Sequence, residues 1–552
     1  MKLSIGHRYL LPLIVLIILG LFVLYPLGSV LWESFKSNGE INLNNYSAMF
    51  DNPHLTKTVW NTIGVACGAA VLSTLLGLLL ALIAFKTTLP LRGLFAGAAV
   101  LPMIIPGYVT VLAYIFLFGR NGLITYKWLG ISWDVYSWKS VLILQSFELT
   151  TTAFLLIAAV IVTIDSRVED SARNLGASEW GVLTTATLPL LKPGLIAALL
   201  LTFMRSMADF STPLLVGGKF DTLASASYTQ LIGRYDMGMA ATLNVILLLL
   251  TLAVFVLYYR GQTAVLRVRA QAGGFQRKPL RLNRPLKAML SIIGGTFVIL
   301  LLMFVVSVFL AAFTKHIGGN YAFTTEHFGI IPERGWSSTR NTLFFAIITA
   351  AVMSLTGLIL AYLITRVEFR GKAILDWLMT LPFAIPGTFM GIGFALAFNR
   401  PPLLLAGTWM IIIACTVIRE LPVGLRAGMG VLSQQDRSIE DASAGLGASR
   451  FGTFLRIIVP TARPALLVSA LFAFVSTVQT LGAIIFLITP GTKLLSVDIF
   501  EATYRGDVGD AAALSMIMLG MAAIGTIAIY FIGTKGWAAL WLRRTLPNPA
   551  QT

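Results

Sequence analysis

Charge is scarce in this chain, and acid scarcer still: 12% of its 552 residues are charged, with 24 Asp and Glu against 41 Lys and Arg. With 57% hydrophobic residues and a mean hydropathy of +0.83, this excludes an ordinary soluble protein, which carries roughly 25% charged residues. The two cysteines, Cys67 and Cys415, fall in separate apolar stretches, exclude a disulfide framework and read as packing residues. The four histidines, His7, His54, His316 and His327, have no metal-ligand spacing; His316 and His327 read as solvent-exposed in one outside loop. No Gly-x-x-x-x-Gly-Lys-Ser/Thr phosphate loop occurs, and no polar stretch is long enough to fold as an ATPase or a solute-binding domain. The longest outside loops fall near 32–58 and 313–340.

What is abundant is long apolar sequence. A bilayer span needs roughly 20 mostly apolar residues, and about twelve such segments occur. They lie near 10–31, 59–85, 93–118, 139–163, 193–216, 238–259, 288–312, 342–365, 373–398, 403–431, 464–488 and 511–533. The first follows Lys2, His7 and Arg8 like a signal segment. It lacks a small-x-small cleavage site and ends in Tyr25-Pro26 and Trp32, so it reads as a retained anchor. The fold class is an all-α polytopic membrane protein.

A formal charge of +17 would suit nucleic acid if it were concentrated on a soluble face. The basic residues instead sit in short loops between spans, which the positive-inside bias places in the cytoplasm; no nucleic-acid partner is expected. Residues 260–287 contain Arg260, Arg267, Arg269, Arg277, Lys278, Arg281, Arg284 and Lys287 and no acid. Lys86 and Arg92, then Arg366, Arg370 and Lys372, mark further inside turns, and Lys535, Arg543 and Arg544 place the tail inside. Both termini are expected in the cytoplasm. Loops 217–237 and 489–509 mix both signs and are expected outside.

The chain also repeats itself. Val168-Glu-Asp-Ser-Ala-Arg-Asn-Leu-Gly-Ala-Ser178, running on to Leu188-Pro189, returns as Ile439-Glu-Asp-Ala-Ser-Ala-Gly-Leu-Gly-Ala-Ser449, running on to Val459-Pro460. Trp60-Asn61-Thr62 returns as Arg340-Asn341-Thr342, and Leu101-Pro102-Met-Ile-Ile-Pro106-Gly107 as Leu381-Pro382-Phe-Ala-Ile-Pro386-Gly387. Arg234-Tyr-Asp236 returns as Arg505-Gly-Asp507. The early pairs are 280 residues apart and the later ones 271, so the second half is shorter between its third and fourth spans. Two parallel six-span repeats follow: residues 1–260, a basic cytoplasmic linker 261–287, and residues 288–552, related by a pseudo-twofold axis along the membrane normal.

The repeated loops, near 164–192 and 433–463, read as helix-turn-helix units lying on the membrane surface. Asp165 or Ser166, and Asp436 or Ser438, are candidate caps. Glu169-Asp170 and Glu440-Asp441 fall in the first turn, where the helix dipole favours anions. Gly176 and Gly447 supply the turn, and Ser178 and Ser449 cap a second short helix. The plain alternative is an amphipathic connector, but its occurrence twice at equivalent places, with Leu-Gly-Ala-Ser intact, favours a surface used in duplicate.

These loops resemble the coupling loop of binding-protein-dependent ABC importers, written Glu-Ala-Ala, three residues, Gly, about nine residues, then an apolar residue and Leu-Pro. Here the first Ala is Asp in both copies and the second is Ser in the first copy. The resemblance implies a type I ABC importer permease fold and makes Glu169, Asp170, Gly176 and Ala177, with Glu440, Asp441, Gly447 and Ala448, the ATPase-coupling residues. It implies two copies of an ABC ATPase subunit, which hold the ATP and Mg, and a periplasmic solute-binding protein. No cofactor and no catalysis are expected on this chain. Its setting is the lipid of a bacterial inner membrane, and its cargo a small ligand or metal ion. Two permease halves in one polypeptide look most like ferric-iron importer permeases, with thiamine and 2-aminoethylphosphonate permeases close behind.

Charges within spans mark a candidate path, since they are expensive there. Arg205 and Asp209 are one turn apart on the fifth segment, and Glu148 and Arg419-Glu420 occupy matching places on the fourth and tenth. The 271-residue offset carries Arg205 and Asp209 to Ser476 and Thr480. The alternative for Arg205 and Asp209 is an internal salt bridge that holds helices together. An ion-driven secondary transporter would use Glu148, Arg205 and Asp209 as a proton relay, but it would not need the repeated glycine-centred loop. No metal or nucleophile constellation supports a membrane enzyme. Pro102, Pro106, Pro382 and Pro386, with Gly107 and Gly387, are expected to kink the third and ninth spans.

Overall fold

The computed structural model describes residues 5–533 apart from 38, 132–133, 271–283, 317–318 and 402. Among them, nine helices are long and apolar enough to cross a bilayer. Two bent pairs add a span each: Lys372–Phe383 with Gly387–Ala397, and Arg450–Thr461 with Arg463–Gln479. The expected tenth span is the 24-residue helix Trp409–Leu432, whose Arg419, Glu420 and Arg426 make it too charged to count by composition alone. Each of the twelve segments is therefore helical, though not all in the expected way.

The third and ninth segments are broken rather than kinked, the ninth by 107°. Two prolines four residues apart remove two N–H donors from one turn, so the ladder stops and restarts with Pro106 or Pro386 in extended conformation at the N-cap. The eleventh segment ends early, at Gln479, where Thr480 turns extended (φ −62°, ψ 131°) just as Asp209 does after Ala208 (φ −79°, ψ 118°). The 217–237 and 489–509 stretches are not plain outside loops. They carry the helices Leu223–Tyr228 and Leu495–Arg505, whose Leu223, Ala224, Leu495 and Val497 are buried. The repeated Asn-Thr motif explains how they are held: Asn61 donates to the Asp221 carbonyl, and Thr62 accepts the Leu223 N–H at 2.8 Å. In the second half Asn341 donates to the Gly491 and Lys493 carbonyls, and Thr342 accepts the Leu495 N–H at 2.8 Å.

Two smaller expectations change. Cys67 is exposed on helix Pro53–Lys86, whereas Cys415 is buried. His327 is not simply solvated, because its ring nitrogens lie 2.9 Å from Asp510 and from the Thr314 carbonyl. Of the basic linker, residues 271–283 lie outside the described residues, while helix Met237–Ala270 enters it from one side and Arg284–Ala312 from the other. Lys535, Arg543 and Arg544 also lie outside the described residues.

The closest helix packing joins the second and fourth spans in both halves. A Cβ on Gly77 would lie 2.7 Å from the Ala153 Cβ, and one on Gly357 would lie 2.7 Å from the Gly424 carbonyl carbon. Small residues let the backbones approach where lipid offers no hydrophobic drive to associate. Gly357→Leu should therefore cost about 1–3 kcal/mol by overpacking, seen as a lower melting temperature and less monodisperse protein in detergent. Gly295→Ala, at a helical glycine with open space around its Cβ direction, should change neither.

Candidate functional site

Each repeated loop folds as a helix, a left-handed turn and a second short helix. Asp165 caps Ser166–Asn174 by accepting the Arg167 N–H; Gly176 follows at φ 87°, and the Ala177 N–H closes on the Ala172 carbonyl at 3.0 Å. In the second copy Ser438–Gly445 is followed by Gly447 at φ 83°, and the Ala448 N–H closes on the Ser443 carbonyl at 3.1 Å. Both are Schellman closures, for which glycine is the natural left-handed residue. Ser178 and Ser449 then cap Glu179–Val182 and Arg450–Thr453. The copies differ at their start. The second has Arg437 at the N-cap with no side-chain cap, while Asp436 accepts the Ser438 N–H. That backbone hydrogen bond holds the Asp436 carboxyl below its ordinary range.

The paired glutamates point inward, not toward a partner. Glu169 is fully buried; the Lys86 Nζ donates to it at 2.7 Å and the Thr187 hydroxyl at 2.8 Å. Its counterpart Glu440 lies 2.7 Å from the Arg366 Nε, an ion pair whose N–H is not aimed at the oxygen, and accepts from the Tyr362 hydroxyl at 3.3 Å. Lys86 and Arg366 are the last residues of the second and eighth spans. The acid of each loop thus ties it to a transmembrane helix. Asp170 also turns inward to the loop itself, pairing with Arg173, which holds Glu179 across the turn at 2.9 Å. Asp441 and Ala448 are exposed and Ala177 is half-buried.

Each loop also presents large apolar side chains outward. Leu175 and Leu446 are 89% and 90% exposed, beside Trp180 (61%) and Phe451 (72%). Each pair is 271 residues apart, so the spacing that revealed the acids and glycines also carried these residues, which sequence reasoning passed over.

Intramembrane groups of the two halves lie within electrostatic reach of each other. Arg205 and Asp209 do not pair. The helix ends at Ala208, and the Asp209 carboxylate accepts the backbone N–H and hydroxyl of Ser211 and the Gln145 amide, each at 2.9 Å. Ser206 in turn donates to Gln145. In the second half Arg419 donates to Thr480 at 3.2 Å and Ser476 donates to Glu420 at 2.6 Å. The charges of Glu148 and, from the other half, Glu420 and Arg419 all act on Arg205. Charged groups on the fourth and fifth spans of one half and on the tenth of the other are therefore within electrostatic reach of one another.

Aromatic rings also meet across the two halves. Phe210 meets Phe500 at 5.6 Å between ring centroids, and Tyr228 meets Phe486 and Phe500 at 6.1 Å each. Phe210 and Phe500 are buried.

Removing one partner of a buried ion pair strands the other, at a cost of about 3–5 kcal/mol. Lys86→Ala should show that loss as a lower unfolding temperature, with proteolysis appearing within 165–180. The double variant Lys86→Leu, Glu169→Leu should recover much of the stability, as calorimetry of the purified protein would show.

A family model described as the inner membrane component of binding-protein-dependent transport systems matches residues 73–265 and again residues 353–535. A permease protein of Haemophilus influenzae, provisionally named for ferric transport, is 30% identical over 514 residues, covering 90% of this chain and 80% of its own. The ferric transport system permease protein of Actinobacillus pleuropneumoniae is 29% identical over 539 residues, covering 94% and 77%. A Sinorhizobium fredii protein, provisionally named as an ABC transporter permease, is 23% identical over 536 residues, covering 93% and 94%.

Proposed function

Because the chain belongs to the family of inner membrane components of binding-protein-dependent transport systems, as the permease of an ABC importer, we propose that its cargo is ferric iron. A periplasmic binding protein delivers the iron, and two copies of an ATPase subunit, one on each repeated loop, drive it inward. The observation that carries this reading is the alignment with ferric permeases along 90% or more of this chain, both halves included. The duplicated patches Leu175 with Trp180 and Leu446 with Phe451 support two identical docking events. Lys86 and Arg366 adjoin these loops, and the positive-inside bias supports a cytoplasmic position for that face.

The contacts support a route by which closure of a partner would reach the cargo. A loop pulled by the ATPase moves Glu169 and with it Lys86 at the end of the second span. That span is locked to the fourth at Gly77 and Ala153, and the fourth carries Glu148. The same chain of contacts runs through Glu440, Arg366, Gly357 and Gly424 to Arg419. ATP and Mg belong to the ATPase subunit, and this chain supplies the passage and the levers.

Membrane vesicles holding this chain with its ATPase and binding protein should take up 55Fe(III) only with ATP. Uptake that persists under a proton gradient without ATP rejects the importer mechanism. In a Gly176→Val, Gly447→Val double variant, left-handed strain of about 1–3 kcal/mol at each turn should misplace both loops. Immunoblots should then show normal insertion while uptake falls sharply.

A further inference from the structure

The last span of the first half is tied to the second half by a largely buried network that the repeat does not copy. Helix Met237–Ala270 carries Tyr259, beside the start of the basic linker, and its hydroxyl donates to the Asp376 Oδ2 at 2.9 Å. Asp376 lies on Lys372–Thr380, the first arm of the broken ninth segment, and pairs with Arg426 of the tenth span at 3.1 Å. Arg426 also donates to the Asp376 Oδ2 at 3.2 Å and to the Thr380 hydroxyl at 2.8 Å. Its other contact is Met429, at 3.5 Å on its own helix. The Asp376 and Arg426 side chains are only 15% and 27% exposed, and the half-buried Tyr259 ring leans on Phe255, 6.0 Å away between centroids.

The 271- and 280-residue offsets place Tyr530, Ala96, Val100 and Leu155 where Tyr259, Asp376, Thr380 and Arg426 stand. The phenol recurs, but the acid, hydroxyl and guanidinium of the network do not, and Tyr530 is exposed. The tie is therefore one-sided. A hydrogen bond to an ionised carboxylate is among the strong ones, and burial leaves Asp376 little water to replace it. Arg426 sits on the span that runs into the second repeated loop, so a displacement of that loop reaches it along one helix. Tyr259 belongs to the other half. The Asp376 carboxylate thus stands between a helix that follows the second loop and one that does not.

We propose that Tyr259, Asp376 and Arg426 form a cross-half latch, made before the ATPase subunits close, and that the stroke on the second loop draws Arg426 and Asp376 away from the Tyr259 hydroxyl. This rests on the ATP-driven reading of the transport, though not on the cargo being iron. All three are positioning residues: they act through the arrangement of the two halves, and the hydroxyl adds its hydrogen bond to one arrangement only. A ligand or partner moves such an equilibrium by its differential interaction with the two states, and an internal contact does the same.

The test uses nanodiscs holding this chain with its ATPase subunit, with and without iron-loaded binding protein. Tyr259→Phe keeps the ring and its contact with Phe255 but removes the hydroxyl. It should raise ATP hydrolysis in the absence of binding protein about tenfold, the size set by one charge-assisted hydrogen bond. Its melting temperature should fall by no more than a few degrees. Tyr530→Phe, at the counterpart position, should leave the rate unchanged. In an Asp376→Asn background Tyr259→Phe should add little, because the charge that the hydroxyl engages is gone. A rate at or below wild type in well-inserted Tyr259→Phe overturns the latch, as does an equal rise in Tyr530→Phe. A second arm reads the contact itself, through the 19F resonance of a fluorotyrosine placed at position 259. Trapping the closed ATPase with ATP and vanadate should move that resonance toward its position in Asp376→Asn; no movement overturns the proposal. If loaded binding protein fails to stimulate ATP hydrolysis in wild type, the ATP-driven reading is rejected and the latch with it. Stimulation in wild type with no effect of Tyr259→Phe rejects the latch alone.

Discussion

A charge at the edge of a bilayer must find its counter-charge inside the protein, and two such pairs organise this molecule. Lys86 with Glu169 and Arg366 with Glu440 each join the end of a transmembrane helix to a surface loop at 2.7 Å. With Glu169 fully buried and Lys86 nearly so, neither charge has water to fall back on, and separating them would cost several kcal/mol. The loop is therefore not a flexible connector but an extension of the second or eighth span. That span has no freedom of its own, because Gly77 and Gly357 bring it into backbone contact with its neighbour. Packed interfaces of this kind move as bodies instead of deforming gradually. A displacement at the loop is thus delivered to Glu148 or Arg419 without passing through a soft segment.

Much of this was legible in the sequence because it is written twice. Gly176 and Gly447 at equal places foretold left-handed turns, Ser178 and Ser449 foretold caps, and the Pro-x-x-x-Pro-Gly motifs marked where two spans break. The inward direction of Glu169 was not legible. An acid in a first helical turn satisfies the dipole whichever way its side chain turns, and the residue that decides the matter lies 83 positions upstream. The Arg205–Asp209 spacing suggested a pair only on the assumption of a continuous helix. Asp209 instead spends its carboxylate on the Ser211 and Thr212 N–H groups, which ends one helix and starts the next. Charges at the rims of 217–237 and 489–509 concealed buried helices, although Asn61-Thr62 and Asn341-Thr342 already held the signal that anchors them.

The two halves are alike in their surface loops and close-packed spans and unlike in their intramembrane charges. The levers, turns, caps, outward leucines and close-packed glycines all recur at 271 or 280 residues. The intramembrane charged residues do not: Arg205 corresponds to Ser476, Asp209 to Thr480, and Glu148 to Arg419. Two identical subunits about a twofold axis could not make such an arrangement, because each charge would appear twice, related to its own copy. Joining the halves in one chain frees each to change alone. Duplicate loops suit a partner applied in duplicate, whereas the intramembrane charges need not match. The departure from symmetry therefore falls among the residues whose charges act on Arg205, where Glu148 of one half is answered by Arg419 of the other.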